Sequence, residues 1–113
     1  MTDNRREHPR YDVSVAAELL LGPDRFACQV KNLSLGGVGL GLHDSVPEQA
    51  EVLVNIFLVE DGIEDATSPS LNLKASVIWT AEIEPRRWEV GLRFAPLNPA
   101  QTRVLQQFFA RLG

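Results

Sequence analysis

Two short polar clusters hold the residues best suited to chemistry: Arg5, Arg6 and Arg10 in one, Asn32, Ser34 and Gly37 in the other. An arginine side chain is a planar, permanently charged fork of N–H donors, and it fits a phosphate or, bidentately, the O6/N7 edge of guanine. Arg6 and Arg10 have the spacing that shares a face on a helix, but Pro9 pushes His8 toward an extended or turn conformation. The arginines are therefore expected on a loop, where Arg5 adds a third fork that can stack on a base plane as well as donate. In the second cluster Asn32 offers an acceptor and donors, and Ser34 a hydroxyl. Gly37 tolerates φ > 0 or lets a ligand approach the backbone. Together the clusters describe a site for a compact anion that carries a base. Taken singly, each has a plainer reading. Three arginines near a terminus make a solvated tail, Asn32 to Gly37 makes a strand-to-strand turn, and Asn32-Leu33-Ser34 is a glycosylation acceptor in a secreted protein.

The elements that must position these residues are written as period-two alternation. Phe26, Cys28 and Val30 alternate before the second cluster and Val38, Leu40 and Leu42 after it, so the cluster falls where one strand ends and the next begins. Val13, Val15, Ala17, Leu19 and Leu21 predict a strand over 13–21, and Gly22-Pro23-Asp24 signals a hairpin turn into a strand over 25–33. A short strand follows near 37–42. Asp44 to Pro47 breaks the pattern, and Glu51 to Val59 resumes it with Val52, Val54, Ile56 and Leu58 inward. Glu60 to Ser70, with four acidic residues, reads as an exposed, mobile loop. Leu71, Leu73, Ala75, Val77 and Trp79 share one face of the next strand, and Trp88, Val90, Leu92 and Phe94 one face of the last. Six short strands in a row predict a sheet that closes or sandwiches on itself, because closure removes exposed edges.

The period then changes. Asn98 suits an N-cap, Pro99 the first helical position, and Gln101 stands where a capping box needs it. Val104, Leu105, Phe108 and Leu112 form a stripe at helical spacing with Phe109 on its margin, so the helix should lay its apolar side on the sheet.

At the two polar clusters the chain resembles the PilZ domain family, whose bacterial members bind the second messenger cyclic di-GMP through RxxxR followed by (D/N)xSxxG. Arg6-Glu7-His8-Pro9-Arg10 matches the first motif and Asn32-Leu33-Ser34-Leu35-Gly36-Gly37 the second, in the family's order. Ala75-Ser76-Val77-Ile78-Trp79 and Val90-Gly91-Leu92-Arg93-Phe94 look like its two late strands. The resemblance runs from about Arg5 to the terminal helix. It implies an all-β fold with one C-terminal helix: a six-stranded antiparallel PilZ-type barrel over residues 13–113, preceded by a flexible RxxxR segment over residues 1–12.

The resemblance also implies a site. Arg5, Arg6, Arg10, Asn32, Ser34 and Gly37 would bind cyclic di-GMP, and Trp79, near a strand end, would border the nucleotide. No further cofactor is implied. Because Arg5 directly precedes RxxxR, the ligand would be an intercalated dimer. Binding would order the leader over the barrel mouth and create a surface for a downstream protein partner. Some members act instead as ligand-independent adaptors through protein–protein contacts, and a flat titration with cyclic di-GMP would favour that alternative.

Composition narrows the function from the other side. At 113 residues the chain has room for one domain and none for a separate catalytic one. Hydrophobic content of 44% with 23% charged residues is ordinary for a globular protein, and no apolar run suggests membrane insertion. The polar first residues give no sign of a signal peptide and Cys28 has no partner for an internal disulfide, so a bacterial cytoplasmic location is expected. A net charge of −4, with Lys31, Lys74 and Arg93 too sparse for a basic stripe, argues against a nucleic-acid polymer as partner.

Enzymatic chemistry has no constellation to support it. His8 and His43 with one cysteine are too few for a His/Cys metal set, and Cys28 sits on the apolar parity of its strand as a small core residue. Gly36-Gly37-Val38-Gly39 with Gly41 lacks the helix that a dinucleotide fingerprint must open. Trp79 and Trp88 both lie on apolar parities, so alternation alone assigns them to the core.

Overall fold

The computed structural model describes residues 8–58 and 70–112. Among them the elements follow in the order β1 (Tyr11–Asp12), β2 (Ala16–Leu21), β3 (Asp24–Leu33), β4 (Gly37–Leu42), β5 (Glu51–Phe57), β6 (Ser70–Glu84), β7 (Arg87–Phe94) and α1 (Pro99–Leu112). The strand order β3-β2-β5-β6-β7-β4, with β4 pairing back onto β3, makes a closed six-stranded antiparallel barrel. Tyr11 and Asp12 pair with Leu33 and Asn32 at the end of β3, so the last two residues of the expected leader already belong to the sheet. Among the described residues no helix is long and apolar enough to cross a membrane.

The alternation sends one side chain in two to a common core. Leu19, Val30, Leu40, Val54, Ile56 and Val90 are wholly buried there, and Val52, Leu58 and Leu73 lie in the same cluster. Cys28 joins them, its thiol donating to the Phe26 carbonyl at 3.4 Å and pushed up to about 11 chiefly by burial. A thiol held protonated in that way is a packing group and not a nucleophile.

Several boundaries depart from the expected ones. The first long strand starts at Ala16, because Val13 and Val15 meet β3 only through the bonds Val13 N to Lys31 O and Val30 N to Val15 O. β6 runs on to Glu84, well past Trp79, with register shifts between Val77 and Trp79 and between Glu82 and Glu84. Each shift inserts a residue that the partner strand does not match and so reverses the parity beyond it. Of the loop expected over Glu60 to Ser70, only Ser70 is described, as the first residue of β6; the rest lies outside the described residues, as do Arg5 and Arg6.

The helix begins as its cap requires. Gln101 N donates to Asn98 Oδ1 at 2.7 Å and Asn98 N to Gln101 Oε1 at 2.9 Å, the reciprocal pair of a capping box. Gln101 Nε2 also donates to the Asn72 carbonyl at 3.0 Å, tying the cap to β6. The buried face is Leu105, Phe108 and Phe109, and Leu112 is exposed, so the stripe is turned toward Phe109 from the expected one. Tyr11 meets that face: its ring stacks on Phe109 with centroids 4.3 Å apart, so β1 packs on the helix at this residue.

Candidate functional site

The Asn32 to Gly37 turn links β3 to β4 through its serine. Ser34 is buried, and its Oγ accepts from the amides of Gly36 at 3.0 Å and Gly37 at 3.2 Å while its own amide donates to the Gly37 carbonyl at 2.9 Å. A hydroxyl used in this way fixes the backbone of a tight turn. Gly37 does not take a positive φ, the first of the two uses expected of a glycine there. The need for glycine there is spatial: a Cβ would collide with the Leu92 carbonyl of β7.

Beside this turn the outer wall of the barrel is hollowed into a cleft of about 820 Å³. Arg10, Asn32, Ser34, Gly37 and Trp79 all line it, so five of the seven residues singled out in the sequence share one cavity. Barrel closure brings them together, because β4 pairs with β3 on one side and β7 on the other, and β7 carries β6 and Trp79 into the same wall. Trp79 is 43% exposed and not a core residue. The bulge after Val77 turns it out of the interior, leaving Ile78 exposed as well. Trp88 stays partly buried against the core.

Two further cleft residues were weighed differently in the sequence. Arg93 lines the cavity from β7, opposite Gly37 in register, where sequence reasoning treated it only as a sparse surface cation. Its signal was parity, since it stands on the outward side between buried Leu92 and Phe94. His8, considered in the sequence for its conformation before Pro9 and as a metal-ligand candidate, lines the cleft against Gly36, with its ring Cδ2 3.2 Å from where a Cβ on that glycine would sit.

The electrostatics follow from this lining. Arg10 and Arg93 bring two fixed positive charges, and among the described residues no carboxylate lines the cleft. Neither arginine makes an ion pair among the described residues, which leaves both forks available to an anion. A cleft of one sign beside low-dielectric walls concentrates its field on a small counter-charged ligand. Among the described residues no group of three or more His, Cys, Asp or Glu side chains is placed to hold a metal ion.

Comparison with known proteins agrees with the fold. The family model of the PilZ domain matches residues 4–111, and the chain belongs to that family. No curated protein matches it significantly. Among solved structures, the Bacillus subtilis inhibitor of motility MotI/DgrA superposes with a TM-score of 0.77 at 18% identity, over 97% of this chain and 52% of its own. Escherichia coli YcgR in complex with c-di-GMP gives 0.76 at 20% identity, over 96% of this chain and 46% of its own. The PilZ domain of the same YcgR with c-di-GMP gives 0.73 at 19% identity, over 95% of this chain and 91% of that one. The chain thus spans about half the length of the first two structures it resembles.

Proposed function

We propose that this protein is a receptor for cyclic di-GMP that performs no chemistry. The observation that carries the reading is the convergence on one cleft of two arginines, an asparagine amide, an exposed indole and a serine-locked turn, with no carboxylate in the lining and no ion pair to either arginine among the described residues. Membership of the PilZ family and the fold shared with the c-di-GMP-bound domain of YcgR support it. A net charge of −4, with two arginines in a cleft that no described carboxylate lines, suits a compact dianion better than a long phosphate backbone.

In this reading Arg10, joined by Arg5 and Arg6 of the leader, donates to phosphates and guanine edges. Arg93 offers a phosphate contact from a rigid strand, Asn32 pairs with a polar edge, and Trp79 stacks on a base. Ser34 and Gly37 act through the shape of the turn more than through direct contact. The cleft volume of about 820 Å³ is toward the upper end for small-ligand sites, which supports an intercalated pair of nucleotides. Ligand capture orders the leader across the cleft, and the surface made of leader and nucleotide is then read by a protein partner.

Calorimetric titration tests this, with cyclic di-AMP and GTP as controls. The expected result is saturable binding of cyclic di-GMP alone, with two nucleotides per chain. A flat titration overturns the proposal and favours an adaptor that needs no ligand. Micromolar or tighter affinity surviving in an Arg6→Ala/Arg10→Ala double variant would overturn the assigned site.

A further inference from the structure

Four residues from four strands lie in one register row across the outside of the barrel. Asn32 of β3 stands opposite Gly39 of β4, Gly39 opposite Gly91 of β7, and Gly91 opposite Trp79 of β6. The outer two carry planar groups and the inner two carry no side chain. Both planar groups lean inward over the glycines. A Cβ at position 39 would come within 2.8 Å of Asn32 Nδ2, 3.1 Å of Oδ1 and 3.2 Å of Cγ, which is the whole amide plane. A Cβ at position 91 would collide with the indole nitrogen of Trp79 and with both ring atoms bonded to it.

Strand side chains ordinarily stand away from the sheet. Here the amide and the indole lie down on it, and the indole keeps 43% of its surface exposed toward the cleft. Backbone conformation does not explain the glycines, because neither Gly39 nor Gly91 has a positive φ. What excludes a side chain at each position is the planar group resting there.

We propose that Gly39 and Gly91 are positioning residues of the cleft: they leave the centre of the row bare so that the Asn32 amide and the Trp79 indole form one flat floor for a purine base. The proposal rests on the nucleotide reading given above and adds to it the part of the ligand that is held and the residues that set its plane. Neighbouring strands lie about 4.8 Å apart, so a floor resting on two of them is broad enough for fused rings. The indole offers a π-face and the amide a polar edge beside it, which places one base flat over β4 and β7 and its phosphates toward Arg93 and Arg10, both of which line the same cleft. A base-sized ligand without a planar ring system gains nothing from such a floor.

The test is a cycle of three variants of the full chain, Trp79→Ala, Gly91→Ala and the two combined, titrated calorimetrically with cyclic di-GMP. Loss of one base-stacking group weakens binding about 5- to 150-fold, and Trp79→Ala is expected in that range. Gly91→Ala should weaken binding comparably by displacing the indole, and the double variant should bind no worse than Trp79→Ala alone. In a Trp88→Phe background the ligand-induced change in Trp79 emission should be present, and it should disappear with Gly91→Ala. Wild-type affinity in Gly91→Ala, or a double variant whose loss is the product of the two single losses, overturns the proposal while the receptor reading stands. If Gly91→Ala fails to fold, a folded double variant that binds like Trp79→Ala supports the proposal. If both fail, the backbone itself requires the glycine and the proposal falls. A wild-type chain that binds no cyclic di-GMP refutes the receptor reading and the base floor together.

Discussion

The two faces of β4 differ as much as any two regions of this molecule. Inward, Val38, Leu40 and Leu42 are buried in the barrel core; outward, Gly37, Gly39 and Gly41 present no side chain at all. The neighbours use that bare face, since Asn32 lies against Gly39 and Lys31 against Gly41. A strand with a period of two can serve packing on one side and a site on the other, and a slip of one residue would exchange the two roles. Stability and recognition are therefore separable by parity in the same six residues. Inward changes should move unfolding, and changes on the outward wall should move ligand binding.

The sharpest way to break that separation is Leu40→Ala. Leu40 is fully buried, and truncation there should cost about 2–5 kcal/mol of stability by denaturant titration, with the affinity of the remaining folded protein unchanged. Arg10→Ala should do the reverse. Its fork is exposed and unpaired among the described residues, so its loss should cost about 2–4 kcal/mol of cyclic di-GMP binding by calorimetry and shift stability by no more than about 0.5 kcal/mol. A large stability change in that variant would show that the leader is part of the core and not of the site.

Cys28 sharpens the inward half of the comparison through pH. Its folded thiol is raised from the ordinary 9.0 to about 11, so between those values the unfolded chain loses the proton first and is the state favoured. The contribution is complete below about pH 9 and is lost as pH rises toward about 11. Cys28→Ala should flatten this part of the pH–stability curve relative to wild type in parallel denaturant titrations, and an unchanged slope would mean that the thiol is not desolvated. The smallest expected effect falls between the two faces. Ser34→Ala removes the acceptor for two turn amides without touching a charge, and it should weaken binding by about 1 kcal/mol while loosening exchange protection at Gly36 and Gly37. Full affinity with an altered turn would show that the ligand does not depend on the shape Ser34 imposes.

Much of this arrangement is legible in the chain. The β5 strand follows from alternation because its buried residues, Val52, Val54 and Ile56, keep one parity throughout, whereas β3 follows it only through Cys28 and Val30, since the register shift at Lys31 brings Leu33 into the core on the other parity. The start of α1 follows from Asn98 and Gln101 because a capping box is a local device that needs no partner from elsewhere. Trp79 escaped the same reasoning. Alternation put it inside with Leu71, Leu73, Ala75 and Val77, and the bulge at Ile78 put it outside. A bulge has no residue signature as firm as a turn's, since it answers to the twist and closure of the whole barrel. Phe109 likewise stacks on Tyr11, a residue nearly the full length of the chain away.

By itself, then, the sequence determined the polar chemistry and the local elements: forks for an anion, a serine-and-glycine turn, six alternating runs and a capped helix. These depend on neighbours within a few residues, where side-chain type and period are enough. Only the tertiary structure decided that Arg10, Asn32, Trp79 and Arg93 share one cleft, that no carboxylate among the described residues joins them, and that two glycines lie between an amide and an indole. Those facts depend on strand register around a closed barrel, where one inserted residue reverses a face, and register is settled by the packing of the whole core.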